Sequence, residues 1–151
     1  MEEFLEKDLA EVVDDPSVSQ PICWYMPPVI VEHESKDKPR YCHDARAESK
    51  GVSLNSMLLT GNTADLTVFG ALQNARRFDW FAVGDIEAFF HRVLVHVEDR
   101  DALRFYRWIP GTTDKLQCLR MKVNIFGSVC SKTSATFTLR HNAEVNGQEE
   151  D

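Results

Sequence analysis

The chain has 151 residues, of which 43% are hydrophobic, and a formal net charge of −7; this length predicts at most one domain. No apolar run is long enough to span a membrane, and Met1 is followed by two glutamates rather than by a basic and apolar signal region, so we expect a soluble, cytoplasmic protein without membrane association. The four cysteines and five histidines are scattered, with no Cys-x-x-Cys pair, which argues against a zinc module and against a histidine-based metal site.

The negative charge is concentrated at the two ends of the chain. Residues 1–50 carry 6 Lys and Arg against 12 Asp and Glu, and residues 141–151 carry four acids and no Lys or Arg. The central residues 51–140 have 11 basic and 8 acidic side chains. A mildly basic centre can follow a phosphate backbone, but it contains no basic stripe, so charge alone does not identify a nucleic-acid-binding protein.

The first predicted elements are a helix and a hairpin. Apolar residues at helical spacing predict a helix over 2–13, which Pro16 ends. Residues 29–31 are typical of a short strand, 32–38 of a polar turn and 40–44 of the returning strand. A hairpin is therefore expected near the start of the chain.

The returning strand carries alternating charges. Arg40, Asp44 and Arg46 would point to the same face of an extended strand. From the residues alone, a solvated strand face with a weak Arg–Asp pair is the favoured interpretation.

The centre of the chain combines a helix with a short apolar run that ends in an acid. Helical spacing predicts a packed helix over 64–78, after a short apolar segment at 54–59. Residues 80–83 have the length and composition of a buried strand, and Asp85 follows almost directly. Because an unpaired carboxylate is costly to bury, Asp85 either caps a helix or binds a cation at the rim of a sheet.

The remaining elements complete a predicted sheet and a last helix. The β-rich run 93–97 is followed by strands at 102–108 and 116–123, which flank a loop at 110–114. We expect one sheet that contains the central apolar strand and the two strands that flank this loop. A final helix is predicted over 131–143.

Residues 85–93, Asp-Ile-Glu-Ala-Phe-Phe-His-Arg-Val, resemble the first catalytic motif of reverse transcriptases. The chain around them, over residues 20–143, resembles the polymerases of Pao/BEL-type LTR retrotransposons. The other matching pieces, in chain order, are Cys-Trp-Tyr-Met-Pro-Pro-Val at 23–29, Lys-Pro-Arg at 38–40, Asp-Ala at 44–45, Gly-Val-Ser-Leu-Asn at 51–55, Leu-Leu-Thr-Gly at 58–61, Glu-Asp-Arg-Asp-Ala-Leu-Arg-Phe at 98–105, and Phe-Gly at 126–127 with Ser131. The ordered set is more specific than any one piece.

The resemblance implies an α+β fold, a partial right-hand polymerase with fingers and an incomplete palm. Its parts would be a leading helix at 1–15, a fingers-like segment at 16–62, an incomplete palm at 63–143 and an acidic disordered tail at 144–151. An incomplete palm would expose an apolar edge and depend on a partner chain or aggregate.

The resemblance also implies nucleotidyl transfer to a primer 3′-hydroxyl with two magnesium ions. Asp85 would be a catalytic carboxylate and would bind Mg²⁺ together with the backbone carbonyl of Ile86. Lys38 and Arg40 would bind the incoming triphosphate, because the forked donors of a guanidinium match phosphate oxygens.

The nucleotide pocket implied by the resemblance is lined by three further residues. Phe90, five positions after Asp85, would exclude a 2′-hydroxyl and so select deoxynucleotides. Phe126 and Gly127 would form the loop where the templating base and the nucleotide meet, since a glycine lets the backbone approach a ligand closely.

The other two aspartates of the family belong to a Tyr-x-Asp-Asp hairpin after the last helix, and the sequence to Asp151 contains no such motif. We therefore expect a fragment of a retroelement RNA-directed DNA polymerase that is inactive alone, with weak magnesium binding or none. Its partners would be an RNA or DNA template–primer, a dNTP and the remainder of a polyprotein, in the cytoplasm or in a retroelement particle. The alternative is a non-catalytic remnant that binds nucleic acid or protein.

Overall fold

The computed structural model describes residues 2–17, 20–33, 36–62 and 68–147, with the backbone alone at 32, 33 and 36–40. The elements in chain order are helix α1 (Glu2–Glu6), strands β1 (Ala10–Val12), β2 (Pro28–His33) and β3 (Lys36–His43), helices α2 (Leu54–Met57) and α3 (Val68–Ala75), the 3₁₀ helices Phe89–Arg92 and Arg100–Leu103, strands β4 (Arg104–Trp108) and β5 (Leu116–Met121), and helix α4 (Ser131–Asn146). Helices and strands form a mixed α+β structure, which confirms the predicted class at that level.

The strands form two small antiparallel sheets. One has three strands in the order β1-β5-β4, and the other is the hairpin of β2 and β3. In the larger sheet Phe105 lies opposite Leu119, and Ala10 lies opposite Met121. Since β4 and β5 flank the loop at 110–114, the prediction of two paired strands around that loop is confirmed.

The core is built around the three-stranded sheet. Phe105, Cys118, Leu119 and Met121 are its buried apolar side chains on β4 and β5. Segments outside the sheet add Met26, Ala45, Leu54, Leu103, Val123 and Ile125. Burial of a side chain of this size contributes roughly 1.5–3 kcal/mol, so the sheet and the segments packed against it share the apolar stabilisation.

A network of ion pairs joins the three strands of the larger sheet. Arg120 donates from Nε to Glu11 Oε1 at 2.7 Å and from Nη1 to Asp101 Oδ2 at 2.9 Å. Arg104 donates from Nε to Asp101 Oδ1 at 2.7 Å and from Nη1 to the Tyr25 hydroxyl at 2.9 Å. Asp101 and Arg104 are both buried, and an unpaired charge is costly to bury. Each side chain therefore compensates the charge of the other.

The predicted helix over 2–13 is wrong beyond its first turns. α1 ends at Glu6, and Asp8 has a φ of 56°, which an α-helix does not accommodate. β1 then pairs antiparallel with β5, which buries Ala10. Pairing with a distant strand therefore overrides the helical spacing of the apolar residues, because it satisfies backbone polar groups and buries apolar surface together.

The predicted strand at 80–83 is also wrong. These four residues, all described, form no strand, and the side chains of Trp80 and Val83 are 89% and 87% exposed. In the run at 93–97, Leu94 makes a single bridge with Val123 beyond the end of β5. The third strand of the sheet is β1 rather than the strand predicted at 80–83.

Two further predicted elements, a hairpin and a helix, appear with different bounds. The hairpin appears as β2 and β3, whose strands extend into the turn predicted at 32–38; residues 34 and 35 lie outside the described part of the chain. A helix appears within the predicted range 64–78 as α3, and residues 63–67 likewise lie outside the described part. The prediction that this helix is packed is wrong, because none of its residues is buried and Phe69 and Leu72 are exposed.

The last helix begins where the sequence predicts and ends later. α4 starts at Ser131 and continues to Asn146, so the assignment of residues 144–146 to a disordered tail is wrong. Residues 148–151 lie outside the described part of the chain. Among the helices that the structure describes, none is both long and apolar enough to cross a membrane.

Candidate functional site

Three of the sequence pieces that carry the resemblance meet at the loop formed by residues 125–130, here called the glycine loop. Asn55, from the Gly-Val-Ser-Leu-Asn piece, uses both ends of its side-chain amide there. Its Nδ2 donates to the Gly127 carbonyl at 2.9 Å, and its Oδ1 accepts from the Val129 N–H at 2.9 Å. The amide therefore bridges the backbone on both sides of the turn.

Asn55 is held in place by the short helix α2. Ser53 caps this helix, and reciprocal hydrogen bonds between Ser53 and Ser56 form a capping box. Leu54 is buried in the core, and the Asn55 N–H donates to the Ala45 carbonyl at 2.9 Å. These contacts fix the backbone from which the Asn55 amide reaches the glycine loop.

The Asp85 segment reaches the same loop through an aromatic contact. Phe90 lies on the 3₁₀ helix Phe89–Arg92, and its ring centroid is 5.0 Å from that of Phe126. The His91 ring is 5.1 Å from Phe126 in an edge-to-face arrangement. Aromatic pairs of this kind contribute roughly 0.5–1.5 kcal/mol beyond simple burial, so the 3₁₀ helix is coupled to the loop.

The backbone of the glycine loop is constrained at Gly127. Its φ is 97°, a conformation that side chains with a Cβ rarely adopt, and an added Cβ would lie 3.3 Å from the His43 carbonyl oxygen. Directly after the loop, at the start of α4, the buried Ser131 hydroxyl donates to the Ile125 carbonyl at 2.7 Å. The loop thus has a defined shape from Ile125 to the start of α4.

A cluster of rings lies beside the glycine loop and includes His43. The His43 ring is 6% exposed and its centroid is 4.4 Å from that of Phe105. Burial lowers the pKa of His43 to about 4, with His91 adding to the shift, and burial raises the pKa of Tyr41 to about 12. Within the described residues, the His43 Nε2 atom and the Tyr41 hydroxyl are buried without a hydrogen-bond partner. The cluster therefore favours uncharged side chains.

Asn55 and His43 are residues of the candidate site that the sequence does not single out. Asn55 enters the prediction only as the last residue of the matching piece at 51–55, because its contact with Gly127 spans 72 positions and leaves no local signal. The sequence shows His43 only as a histidine within a predicted short strand. Strand periodicity does not reveal that its ring is buried.

Asp85 lies in an exposed segment between α3 and the 3₁₀ helix, so its predicted position at the end of a buried strand is wrong. Ile86 beside it is 42% exposed. In the described parts of the chain, no group of three or more His, Cys, Asp and Glu side chains is placed to hold a metal ion. Magnesium requires several oxygen ligands in near-octahedral geometry, so the described residues do not by themselves fit the implied pair of ions.

Lys38 and Arg40 lie on β3, and their side chains are outside the described part of the structure. The prediction that Arg40, Asp44 and Arg46 share one strand face is wrong, because β3 ends before Asp44. Asp44 Oδ1 instead accepts from the Arg46 N–H at 2.8 Å, which closes a tight turn.

The structure thus brings Phe90, Phe126 and Gly127 together and adds Asn55 to them, while Asp85 lies in the exposed segment that leads to Phe90. The contacts join parts of the chain that are far apart in sequence, and they are made by side chains of the quoted pieces. Comparison of the chain with models of known protein families and with curated proteins finds no match.

Proposed function

We propose that the chain is a reverse-transcriptase-like module of a Pao/BEL-type retroelement, in which β2 and β3 form a fingers hairpin and the larger sheet is part of a palm. The glycine loop and Phe90 would form its pocket for a deoxynucleotide. The observation that carries the proposal is that Asn55, Phe90 and Gly127, from three separate pieces of the resemblance, meet at one loop. This convergence of separate pieces on one loop supports the proposal.

The pocket would recognise a nucleotide through shape and charge. Phe90 is half-buried against Phe126, and a flat ring beneath the sugar would exclude a 2′-hydroxyl by steric clash. Lys38 and Arg40 on the hairpin would supply the cationic groups for the triphosphate. The basic excess of residues 51–140 is consistent with a phosphate-bearing partner.

The chain alone is proposed to be inactive as a polymerase. Asp85 is the carboxylate that the resemblance assigns to the metal site, and the sequence contains no Tyr-x-Asp-Asp. A single carboxylate does not satisfy two divalent ions. We expect no template-directed primer extension by this chain with Mg²⁺ or Mn²⁺, and such a product would overturn this part of the proposal.

Nucleotide binding tests the proposal directly. The dissociation constant of a fluorescent dNTP is measured by polarisation for the full chain and for the double variant Lys38→Glu with Arg40→Glu. Because charge-assisted hydrogen bonds contribute roughly 1.5–3 kcal/mol each, the double variant should bind at least about tenfold more weakly. Arg76→Glu with Arg77→Glu makes the same charge change after α3 and should bind like the wild type. Absence of binding by the wild type, or equal binding by the hairpin variant, would overturn the proposal.

A second candidate function is non-catalytic binding of a protein or nucleic acid. It is favoured by the apolar run that follows α3, in which Phe78, Trp80, Phe81 and Val83 are all exposed. Exposed apolar patches mark interaction surfaces. Under this alternative the chain binds a template–primer or a protein but no dNTP, and Trp80→Ala with Phe81→Ala weakens that binding.

A further inference from the structure

We infer that Asn55 is a positioning residue that sets the shape of the nucleotide pocket through the glycine loop. This inference rests on the proposed function, because the loop is taken to line the pocket. Asn55 itself need not touch the nucleotide. Its amide would act through the backbone of Gly127 and Val129, which it holds from both sides.

The chemistry of the contact specifies an amide. Gly127 offers a carbonyl, which needs a donor, and Val129 offers an N–H, which needs an acceptor. A carboxamide supplies one of each on a single planar group. An aspartate keeps the acceptor but places a negative charge beside the Gly127 carbonyl, and an alanine leaves both backbone groups without this partner.

The bridged turn directly follows Phe126, the loop residue that contacts Phe90. Phe126 precedes Gly127, is 45% exposed and packs on the Phe90 ring. Gly127 has the backbone freedom of any glycine, so its observed φ of 97° depends on contacts that hold it. Loss of the Asn55 bridge would let the backbone at Gly127 relax and would displace the Phe126 ring.

The bridge also connects the loop to the core. The helix that carries Asn55 is anchored by Leu54, which is 4% exposed, and by the hydrogen bond to the carbonyl of the buried Ala45. Asn55 therefore attaches a loop more than seventy positions away to a part of the molecule that is fixed by the core. A loop held in this way is pre-organised and loses less conformational entropy when it binds a ligand.

The test compares Asn55→Ala and Asn55→Asp with the wild type in the full chain. The readouts are the dissociation constant of the fluorescent dNTP, hydrogen exchange of the Val129 and Leu119 amides, and the melting temperature. We expect Asn55→Ala to weaken dNTP binding about tenfold and Asn55→Asp to weaken it less. Exchange at Val129 should be faster in Asn55→Ala than in Asn55→Asp, while Leu119 on β5 stays protected.

The control is Asn74→Asp, which makes the same chemical change at an exposed position of α3 and should match the wild type in every readout. Wild-type affinity in Asn55→Ala would overturn the inference and leave the proposed function standing. Failure of the wild type to bind the dNTP would overturn both. Weaker binding with equal loss of protection at Val129 and Leu119 would also overturn it, because Asn55 would then only stabilise the fold.

Discussion

Residues 80–97 and 100–121 are neighbours in the chain and have similar apolar, strand-forming compositions, yet they differ in structure. The second stretch contains β4 and β5, which pair with each other, and β5 also pairs with β1; Phe105, Leu119 and Met121 on these strands are buried. The first stretch has an exposed segment, a 3₁₀ helix and a single bridge. Strand propensity expresses how well a side chain fits a half-buried sheet. A partner and a burying surface, rather than composition, therefore decide which stretch becomes a strand.

The largest effect should come from breaking the network of ion pairs in residues 100–121, the stretch that contains β4 and β5. Asp101→Asn removes the charge that Arg104 and Arg120 share, and leaves a buried guanidinium without its counter-ion. We expect a loss of about 3–5 kcal/mol in the free energy of unfolding, measured with urea. Asp99→Asn, two positions earlier and exposed, is the control and should change stability little. A loss below about 1 kcal/mol in Asp101→Asn would contradict a buried network.

The next effect concerns the neutral ring cluster beside the glycine loop. Burial lowers the pKa of His43 from 6.5 to about 4. The folded state therefore disfavours the protonated ring, and stability that is complete above pH 6.5 is lost as the pH falls through the folded-state pKa. We expect His43 to account for a loss of about 3 kcal/mol between pH 7 and pH 4.

The variant His43→Phe separates this loss from that of other groups, because its ring can pack against Phe105 without titrating. The free energy of unfolding of both proteins is measured at intervals from pH 7 to pH 4. The wild type should become less stable relative to the variant as the pH falls. Parallel curves would mean that the His43 ring is not buried in solution.

A smaller effect on the melting temperature should distinguish a glycine of the glycine loop, Gly127, from one of the exposed segment, Gly84. Gly127→Ala forces a Cβ onto a residue with φ of 97° and towards the His43 carbonyl, at a cost of roughly 1–3 kcal/mol. Gly84→Ala lies in the exposed segment, where an added Cβ meets no atom within 4 Å. Melting temperatures should therefore fall for the first variant and stay within a few degrees for the second, as the per-residue scale of unfolding entropy predicts. Equal shifts would contradict the constraint on the glycine loop.

The smallest effect is expected in the exposed segment itself. Trp80→Ala should change the free energy of unfolding by less than about 0.5 kcal/mol, because the Trp80 side chain is 89% exposed. Trp24→Ala is the matched comparison and should cost clearly more, since Trp24 packs against the core. A Trp80→Ala cost above about 1.5 kcal/mol would mean that the segment is packed in solution.

Local signals predict the parts of the fold whose partners are near in sequence. The β4–β5 pair has a turn with Pro110 and Gly111 between its strands, and the start of α4 follows directly from its sequence pattern. β1 could not be predicted in this way, because its partner lies about a hundred residues later and the segment reads as a helix on its own. The strand expected at 80–83 fails for the opposite reason: its composition is suitable but it has no partner strand there.

The residues of the candidate site likewise divide into those that the sequence predicts and those that depend on distant contacts. Phe90, Phe126 and Gly127 come from the resemblance, and the structure brings them into contact or into adjacent positions. The bridging role of Asn55 was not predictable from the sequence, because it depends on where α2 lies relative to the glycine loop. The burial of His43 likewise depends on rings from α1, β3 and β4.

The pairing of β1 with β5 has a consequence for synthesis of the protein. Glu11 and Arg120, which face each other across that ladder, are 109 positions apart. At roughly 5–20 residues per second, the ribosome would complete β5 on the order of 5–20 s after β1. During that interval the nascent chain holds an unpaired edge of backbone donors and acceptors. The larger sheet therefore cannot form until β5 has been synthesised, and factors that shield the start of the growing polypeptide would protect β1 from pairing with other chains during that interval.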